Sequence, residues 1–150
     1  MHRLPLLSLA ALLGFSSVPG ALALPAVTGQ IAQMPQPSGM FVAAEHPTQG
    51  MAKIVTVNGK RYLEFDSNFK TDPGPDLFVL LHRSSKPERY ESGDYISLGD
   101  LQKVNGMQRY EIPANVNLSN YQSVVVWCRQ FNATFGYAPL SARMQRTQNN

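Results

Sequence analysis

The residue best suited to chemistry in this sequence is Cys128, its only cysteine, which directly follows the only tryptophan, Trp127. A single cysteine cannot form a disulfide within its own chain. Its thiol could carry out redox chemistry, bind a soft metal or haem, or pack as a small apolar side chain. On a strand, Cys128 would share a face with Val124 and Val126, whereas Trp127 and Arg129 would point to the opposite face. Core valines would place the thiol in the core as well, so the structural and the redox interpretations both stay open.

His46 and His82 are the other candidate ligands for a cofactor. With Cys128 and a methionine they meet the inventory of a blue-copper site, but no histidine follows Cys128 and the usual short ligand spacing is absent. The C-x-x-C-H motif of covalently attached haem is also absent. Non-covalent haem could use a histidine, Met51, Met107 or Cys128 as its axial ligand. We predict no defined metal site and leave the cofactor unknown. His46 is expected in an exposed turn and His82 as a surface polar cap at a strand end, and a structural role stays open for each.

Motifs of the common enzyme classes are missing. The sequence has no G-x-S-x-G, H-E-x-x-H or P-loop pattern. The segment Asp72–Asp76 holds two carboxylates, but its spacing matches no calcium-binding loop, and we interpret it as a turn. The net charge of +3 comes from interspersed acids and bases, which does not predict nucleic-acid binding. A stand-alone enzyme is therefore not predicted.

The N-terminal residues have the pattern of a secretory signal peptide. A basic start, Met1–Arg3, precedes an apolar run over Leu4–Val18, and Ala21–Ala23 forms an A-x-A cleavage site. We expect cleavage after Ala23 and a secreted or periplasmic product. The apolar run is shorter than the roughly 20 residues that a spanning helix needs, so no membrane-spanning segment is predicted.

Composition divides the rest of the chain into three parts. Residues 24–39 contain three prolines and few large apolar side chains, and a flexible lead-in is expected there. Residues 40–140 have the apolar content of a single folded domain. The polar residues 141–150 show no periodicity, so we expect a disordered tail.

The domain is patterned as an all-β fold. The β-branched run 52–57, the turn Asn58-Gly59 and the return run 60–65 predict a hairpin, because both residues of a type I′ turn need positive φ. A two-residue turn fixes the register, so that Ile54 faces Leu63 on an apolar face. Lys53 then faces Glu64 on the other face, where an opposite-charge pair adds little stability.

Further β patterns follow the hairpin. Strands are predicted at residues 77–82, 93–98, 108–112, 123–128 and 131–138, with one helical turn near 118–121. Turn signals separate these runs at intervals of roughly 8–12 residues. The sequence therefore predicts a single-domain β-sandwich, with a barrel-like fold as the alternative.

Six short motifs follow one another along the domain, and three further residues close the series. They are His46–Ile54, Leu63–Asp66, Gly74–Val79, Gly93–Leu101, Gly106–Pro113 and Tyr121–Cys128, then Phe131, Phe135 and Gly136. This series resembles the DM13 domain over roughly residues 40–140. The DM13 family consists of β-rich domains of extracellular animal proteins and exported bacterial proteins. The resemblance implies an electron-transfer or redox role that depends on a cysteine at the position of Cys128.

We therefore predict an exported redox or electron-transfer module with Cys128 at its centre. The other predicted site residues are Trp127, Phe131 and Phe135 around the thiol, and His46 and His82 as binding residues. The partner would be an unidentified redox partner or an envelope or extracellular protein. The alternative is a non-catalytic binding module for a protein, a glycan or an envelope component, which would use aromatic residues such as Tyr62, Tyr90 and Tyr137.

Overall fold

The computed structural model describes residues 34–141 without a gap, and also Ala11, Gly14, Gly20, residues 22–24 and Ala26. The chain divides into two compact units, Met1–Ala32 and Gln33–Asn150, and all strands belong to the second. Most of the predicted signal peptide and lead-in, and the predicted tail after Ser141, lie outside the described residues. The described part of the chain contains no helix with the length and apolar character needed to cross a bilayer.

Eleven short strands and one turn of 3-10 helix, at Leu118–Asn120, are present in the described residues. The strands are β1 (Ser38–Met40), β2 (Val42–Ala43), β3 (Thr48–Gln49), β4 (Met51–Val57), β5 (Lys60–Phe65), β6 (Lys70–Thr71), β7 (Leu77–His82), β8 (Tyr95–Asp100), β9 (Gln108–Ile112), β10 (Ser123–Cys128) and β11 (Ala133–Pro139). No α-helix occurs in the part of the chain that the structure describes. The prediction of an all-β fold is therefore confirmed.

Two antiparallel sheets form the framework of the domain. The first sheet has the strand order β1-β4-β5-β9, and the second has the order β2-β11-β10-β7-β8. Strands β3 and β6 form a separate two-stranded ladder. Each large sheet ends in strands that pair with a single neighbouring strand, so neither sheet closes on itself within the described residues. This arrangement agrees with the predicted sandwich and not with the barrel-like alternative.

The hydrophobic core lies between the two large sheets. Side chains of β4, β5 and β9 pack against side chains of β7, β10 and β11 in one cluster. Its largest fully buried members are Phe65, Phe69, Ile54, Leu63, Leu81, Val79, Val124, Val126 and Cys128. Burial of a large apolar side chain contributes about 1.5–3 kcal/mol, so this interface stabilises the fold without any disulfide.

The hairpin of β4 and β5 has the register that the sequence predicts. The pairs run from Ala52 opposite Phe65 to Val57 opposite Lys60. Asn58 and Gly59 have φ values of 50° and 78°, as a type I′ turn requires. The predicted cross-strand ion pair is present on the outer face, with Lys53 Nζ 3.0 Å from Glu64 Oε1.

Several strand boundaries differ from the predicted ones. Strand β1 begins at Ser38, two residues before the predicted start of the domain. Strand β8 begins at Tyr95 instead of residue 93, because Gly93 has a φ of 92° and lies in the preceding turn. Strand β11 begins at Ala133 instead of residue 131, because residues 129–132 form the turn that leaves β10.

Candidate functional site

Strand β10 occupies the centre of the second sheet, between β7 and β11. All six of its residues are buried. Alternation along the strand sends Val124, Val126 and Cys128 to the core between the sheets, while Val125 and Trp127 pack in a second cluster on the outer face. The distribution of these side chains agrees with the predicted two faces of the strand.

Cys128 is the last residue of this strand and is 0% exposed. Its register neighbours are Leu77 on β7 and Ala133 on β11, and both of these residues pack with the core. The thiol is therefore surrounded by apolar groups. In this conformation no reagent, metal ion or second thiol from solvent reaches the sulfur atom.

The outer face of the same sheet carries a group of aromatic rings. Trp127 stacks on Tyr90 with ring centroids 4.9 Å apart and an interplanar angle of 23°. Tyr95 lies 5.6 Å from Trp127 and 6.0 Å from Tyr90. Phe78 and Tyr137 complete the packing. We call these five residues the aromatic cluster. Trp127 is its most buried member, and the other four are half-buried, so the cluster extends from β10 to the surface.

The loop between β7 and β8 brings Tyr90 onto Trp127, and His82 fixes the start of that loop. The amide of Ser84 donates to His82 Nδ1 at 3.0 Å, and His82 Nε2 lies 2.8 Å from the carbonyl oxygen of Arg89. This pattern requires a neutral ring with its hydrogen on Nε2, which donates to Arg89. The predicted surface position of His82 is wrong, since the residue is only 4% exposed and both ring nitrogens bond to the loop.

The hydroxyl group of Tyr90 points to β11. Tyr90 Oη and Thr134 Oγ1 share a hydrogen bond of 2.5 Å. Burial raises the pKa of Tyr90 to about 12, and the negative charge of Glu45 acts in the same direction, against the opposing effect of the Thr134 hydrogen bond. The phenol therefore keeps its proton throughout the neutral range.

An irregularity in β11 places Phe135 on the core side of the sheet and Thr134 opposite Trp127. Val126 pairs with Gly136 but Trp127 pairs with Thr134, so Phe135 is an extra residue in the ladder. Thr134 faces the aromatic cluster, whereas Phe135 is 3% exposed and packs in the core. The indole nitrogen of Trp127 donates to Asn132 Oδ1 at 3.1 Å, which fixes the indole ring from the same turn.

Phe135 and His46 form a second aromatic contact at another place in the domain. Their rings stack with centroids 3.8 Å apart, and His46 Nδ1 lies 3.0 Å from Asp72 Oδ2. Gly74 permits the approach of the phenylalanine ring, because a Cβ at this position would lie 2.9 Å from Phe135 Cζ. The Asp72–Asp76 segment thus supports this contact, and the Asp72 side chain pairs with His46 instead of capping backbone amides as expected.

The predicted site residues consequently fall into separate environments. Cys128 and Phe135 lie in the core, and Trp127 lies on the outer face of the same sheet. Phe131 is 65% exposed in the turn after β10, which places it outside both groups. Within the described residues, no three histidine, cysteine, aspartate or glutamate side chains come together as metal ligands. His46, His82 and Cys128 therefore do not form the copper ligand set that the inventory allows.

The sequence does not single out Tyr95 or Thr134, and it leaves Tyr90 open as an exposed binding residue or as the half-buried loop residue that the structure has. Tyr90 lies 37 residues before Trp127, in a loop without periodicity, and only tertiary packing brings the two rings together. A local signal for Thr134 is also lacking, because its direction depends on the extra residue in β11. The adjacent Trp127-Cys128 pair is the sequence feature that indicates a functional site on this sheet.

Comparisons with known proteins add one finding. A family model with the description "Electron transfer DM13" matches residues 40–140. This range includes β10, the aromatic cluster, and the His46–Phe135 contact. Searches of curated proteins and of solved structures gave no match.

Proposed function

Because this chain belongs to the DM13 family of electron-transfer domains, we propose that it is an exported electron-transfer module with Cys128 as its redox centre. Its partner would be a one-electron carrier protein outside the cytoplasm. Two features of the domain support this function. The thiol is buried, and the aromatic cluster lies on the opposite face of the same sheet.

Burial of Cys128 limits the kind of redox chemistry that the folded domain can perform. Thiol–disulfide exchange requires a thiolate to make direct contact with another sulfur atom. At 0% exposure the Cys128 sulfur has no such access. Transfer of single electrons does not need contact with the sulfur atom, so this is the redox chemistry that remains compatible with the fold.

The observation that carries the proposal is the stacking of Trp127 on Tyr90. Trp127 is covalently adjacent to Cys128, and its ring belongs to a cluster that reaches the surface. Indole, phenol and thiol groups are the side chains most easily oxidised by one electron. In the proposed step the external one-electron oxidant takes an electron from Trp127 and is thereby reduced. Trp127 regains one electron from Cys128, and the S–H proton leaves to solvent water, so that an intact Trp127 and a neutral thiyl radical result.

The function can be tested with two oxidants that differ in their need for contact. Hexachloroiridate(IV) accepts an electron without binding to sulfur, whereas dithiobis(nitrobenzoate) must touch it. We expect the folded protein to consume more hexachloroiridate per chain than the Cys128→Ser variant does. Dithiobis(nitrobenzoate) should leave the folded protein unlabelled.

The Cys128→Ala variant is the matched control, because it removes the thiol without placing a hydroxyl group in the core. Both variants should show the same reduced consumption of oxidant. Equal consumption by the wild-type protein and both variants would rule out Cys128 as the redox centre.

Export is the second part of the proposal, and it depends on the signal peptide pattern of the first 23 residues. Mass spectrometry of the protein from the extracellular or periplasmic fraction tests it. We expect a mature chain that begins at Leu24. Recovery of the chain from the cytoplasm with Met1 intact would contradict this part of the proposal without affecting the redox role.

A binding function is the second candidate, and the exposure of Phe131 is the observation that favours it. This phenylalanine is 65% exposed at the turn that follows β10. Exposed aromatic rings are frequent anchors of protein interfaces. A Phe131→Ser variant that loses binding to an envelope component, and keeps the Cys128-dependent consumption of oxidant, would support this second role.

A further inference from the structure

Within the aromatic cluster, the hydroxyl group of Tyr90 is hydrogen-bonded to a side chain that can both accept and release a proton. Trp127 contacts two tyrosines, and the hydroxyl of Tyr90 bonds to Thr134 at 2.5 Å. Either hydroxyl group can donate in this pair, and a phenol, as the stronger acid, is suited to donate to Thr134. Thr134 is itself half-buried.

The ring of Tyr90 is also the best placed for electron exchange with Trp127. Its centroid lies 4.9 Å from that of Trp127, and the two rings are within 23° of parallel. Tyr95 is 5.6 Å away and tilted by 53°. The His82 bonds to Ser84 and Arg89 hold the loop that carries Tyr90, so its stacking is fixed by the fold.

We propose that Tyr90 holds an oxidising equivalent that Trp127 has received, with Thr134 as the acceptor of the phenol proton. This inference rests on the proposed function only for the identity of the external oxidant, a one-electron acceptor such as the oxidised metal centre of a carrier protein. The oxidant takes one electron from Trp127, and Trp127 regains one electron from Tyr90. The O–H proton of Tyr90 moves to Thr134 Oγ1, and the hydroxyl proton of Thr134 passes to water. A neutral tyrosyl radical, an intact Trp127 and a neutral threonine result.

The electrostatics around the phenol agree with a proton that moves together with the electron. Burial and the charge of Glu45 raise the pKa of Tyr90 to about 12, so the ring does not lose its proton before it is oxidised. An oxidised phenol is far more acidic than a neutral one. The proton therefore needs an acceptor at the moment of oxidation, and Thr134 is in hydrogen-bond contact.

Flash oxidation tests this role. Photogenerated tris(bipyridine)ruthenium(III) is used as the oxidant, and transient absorption follows the tryptophan radical. The signal is specific to one site because Trp127 is the only tryptophan in the chain. We expect the tryptophan radical to live about tenfold longer in Tyr90→Phe than in the wild-type protein. Tyr95→Phe, the matched control, should behave as the wild type does.

Two further measurements separate proton transfer from ring packing. Decay of the tryptophan radical should be slower in D2O than in H2O for the wild-type protein, and this difference should disappear when Tyr90→Phe is combined with Cys128→Ser. Thr134→Val keeps the shape of the side chain but removes the acceptor, and it should also lengthen the lifetime. An equal effect of Tyr95→Phe and Tyr90→Phe would overturn the assignment to Tyr90.

The same experiment in the Cys128→Ser variant distinguishes this inference from the proposed function. The lengthening caused by Tyr90→Phe should persist when Cys128 is replaced. No lengthening in that variant would overturn the role of Tyr90. If Cys128→Ser left the lifetime of the Tyr90→Phe variant unchanged, the proposed role of Cys128 would fail, and the role of Tyr90 would stand.

Discussion

Cys128 and Trp127 are neighbours in the chain, yet their side chains lie in different environments. The thiol is in the core between the sheets, and the indole ring is in the aromatic cluster on the outer face. Strand alternation is enough to predict this separation, because successive side chains point to opposite faces. The residues that pack against each side chain cannot be predicted in this way, because they come from strands and loops far away in sequence.

Replacement of Cys128 by serine should destabilise the domain. The hydroxyl group would enter an apolar site beside Leu77 and Ala133, and burial of an unpaired hydroxyl costs about 1–3 kcal/mol. Urea denaturation of the wild-type protein, Cys128→Ser and Cys128→Ala measures the difference. Serine should be at least as destabilising as alanine. A serine variant as stable as the wild type would show that the site is more polar or more open than this structure.

At the scale of secondary structure, the β4–β5 hairpin follows most directly from the sequence. The Asn58-Gly59 turn and the alternation of its strands determine all six residue pairs. Strands β7, β9 and β10 also coincide with apolar or alternating runs. The starts of β8 and β11 depend instead on backbone conformations of Gly93 and of the turn before Ala133, which hydrophobic patterning does not report.

Gly59→Ala should destabilise the hairpin through the backbone alone. Gly59 has a φ of 78°, and an added Cβ would meet no atom within 4 Å. An L-residue in the left-handed region costs about 1–2 kcal/mol, and this is the expected loss of unfolding free energy in a urea titration. Asn58→Gly is the control and should be close to neutral or slightly stabilising, since φ is already 50° there. Equal stability of Gly59→Ala and the wild type would argue against the type I′ turn.

Glu64 connects three strands of the first sheet on its outer face. Its carboxylate binds Lys53 of β4 and Arg109 of β9. The hydrogen bonds from Arg109 and then from Lys53 lower the pKa of Glu64 below its ordinary value of 4.5. A lowered pKa in the folded state gives stability that is present above pH 4.5 and is lost as the pH falls through the folded pKa.

Glu64→Gln should therefore cost on the order of 1 kcal/mol at neutral pH and progressively less below pH 4.5. Thermal unfolding across this pH range measures the difference. Glu111→Gln is the matched control on the same face, because its partner Lys60 lies 3.5 Å away and both side chains are exposed. A cost for Glu64→Gln that did not shrink in acid would contradict the proposed electrostatic origin.

For the whole molecule, the sequence predicts the sandwich, the DM13 family and the importance of the Trp127-Cys128 segment. It does not predict the aromatic cluster, because Tyr90 reaches Trp127 from a loop that His82 holds in place. It also does not predict that Thr134 faces the aromatic cluster and Phe135 the core, since the register changes between Val126 and Trp127. Both features arise from long-range packing, and both belong to the proposed route for electrons.

The rate of Cys128-dependent oxidation in the Trp127→Phe variant tests this account most directly. Phenylalanine keeps an aromatic ring beside Tyr90 but is far harder to oxidise than tryptophan. Stopped-flow mixing with hexachloroiridate(IV), with Cys128→Ser as the baseline, gives the rate for the thiol. We expect the rate in Trp127→Phe to be about one tenth of the wild-type rate or lower. An unchanged rate would contradict this account, because electrons would then leave Cys128 without passing through the aromatic cluster.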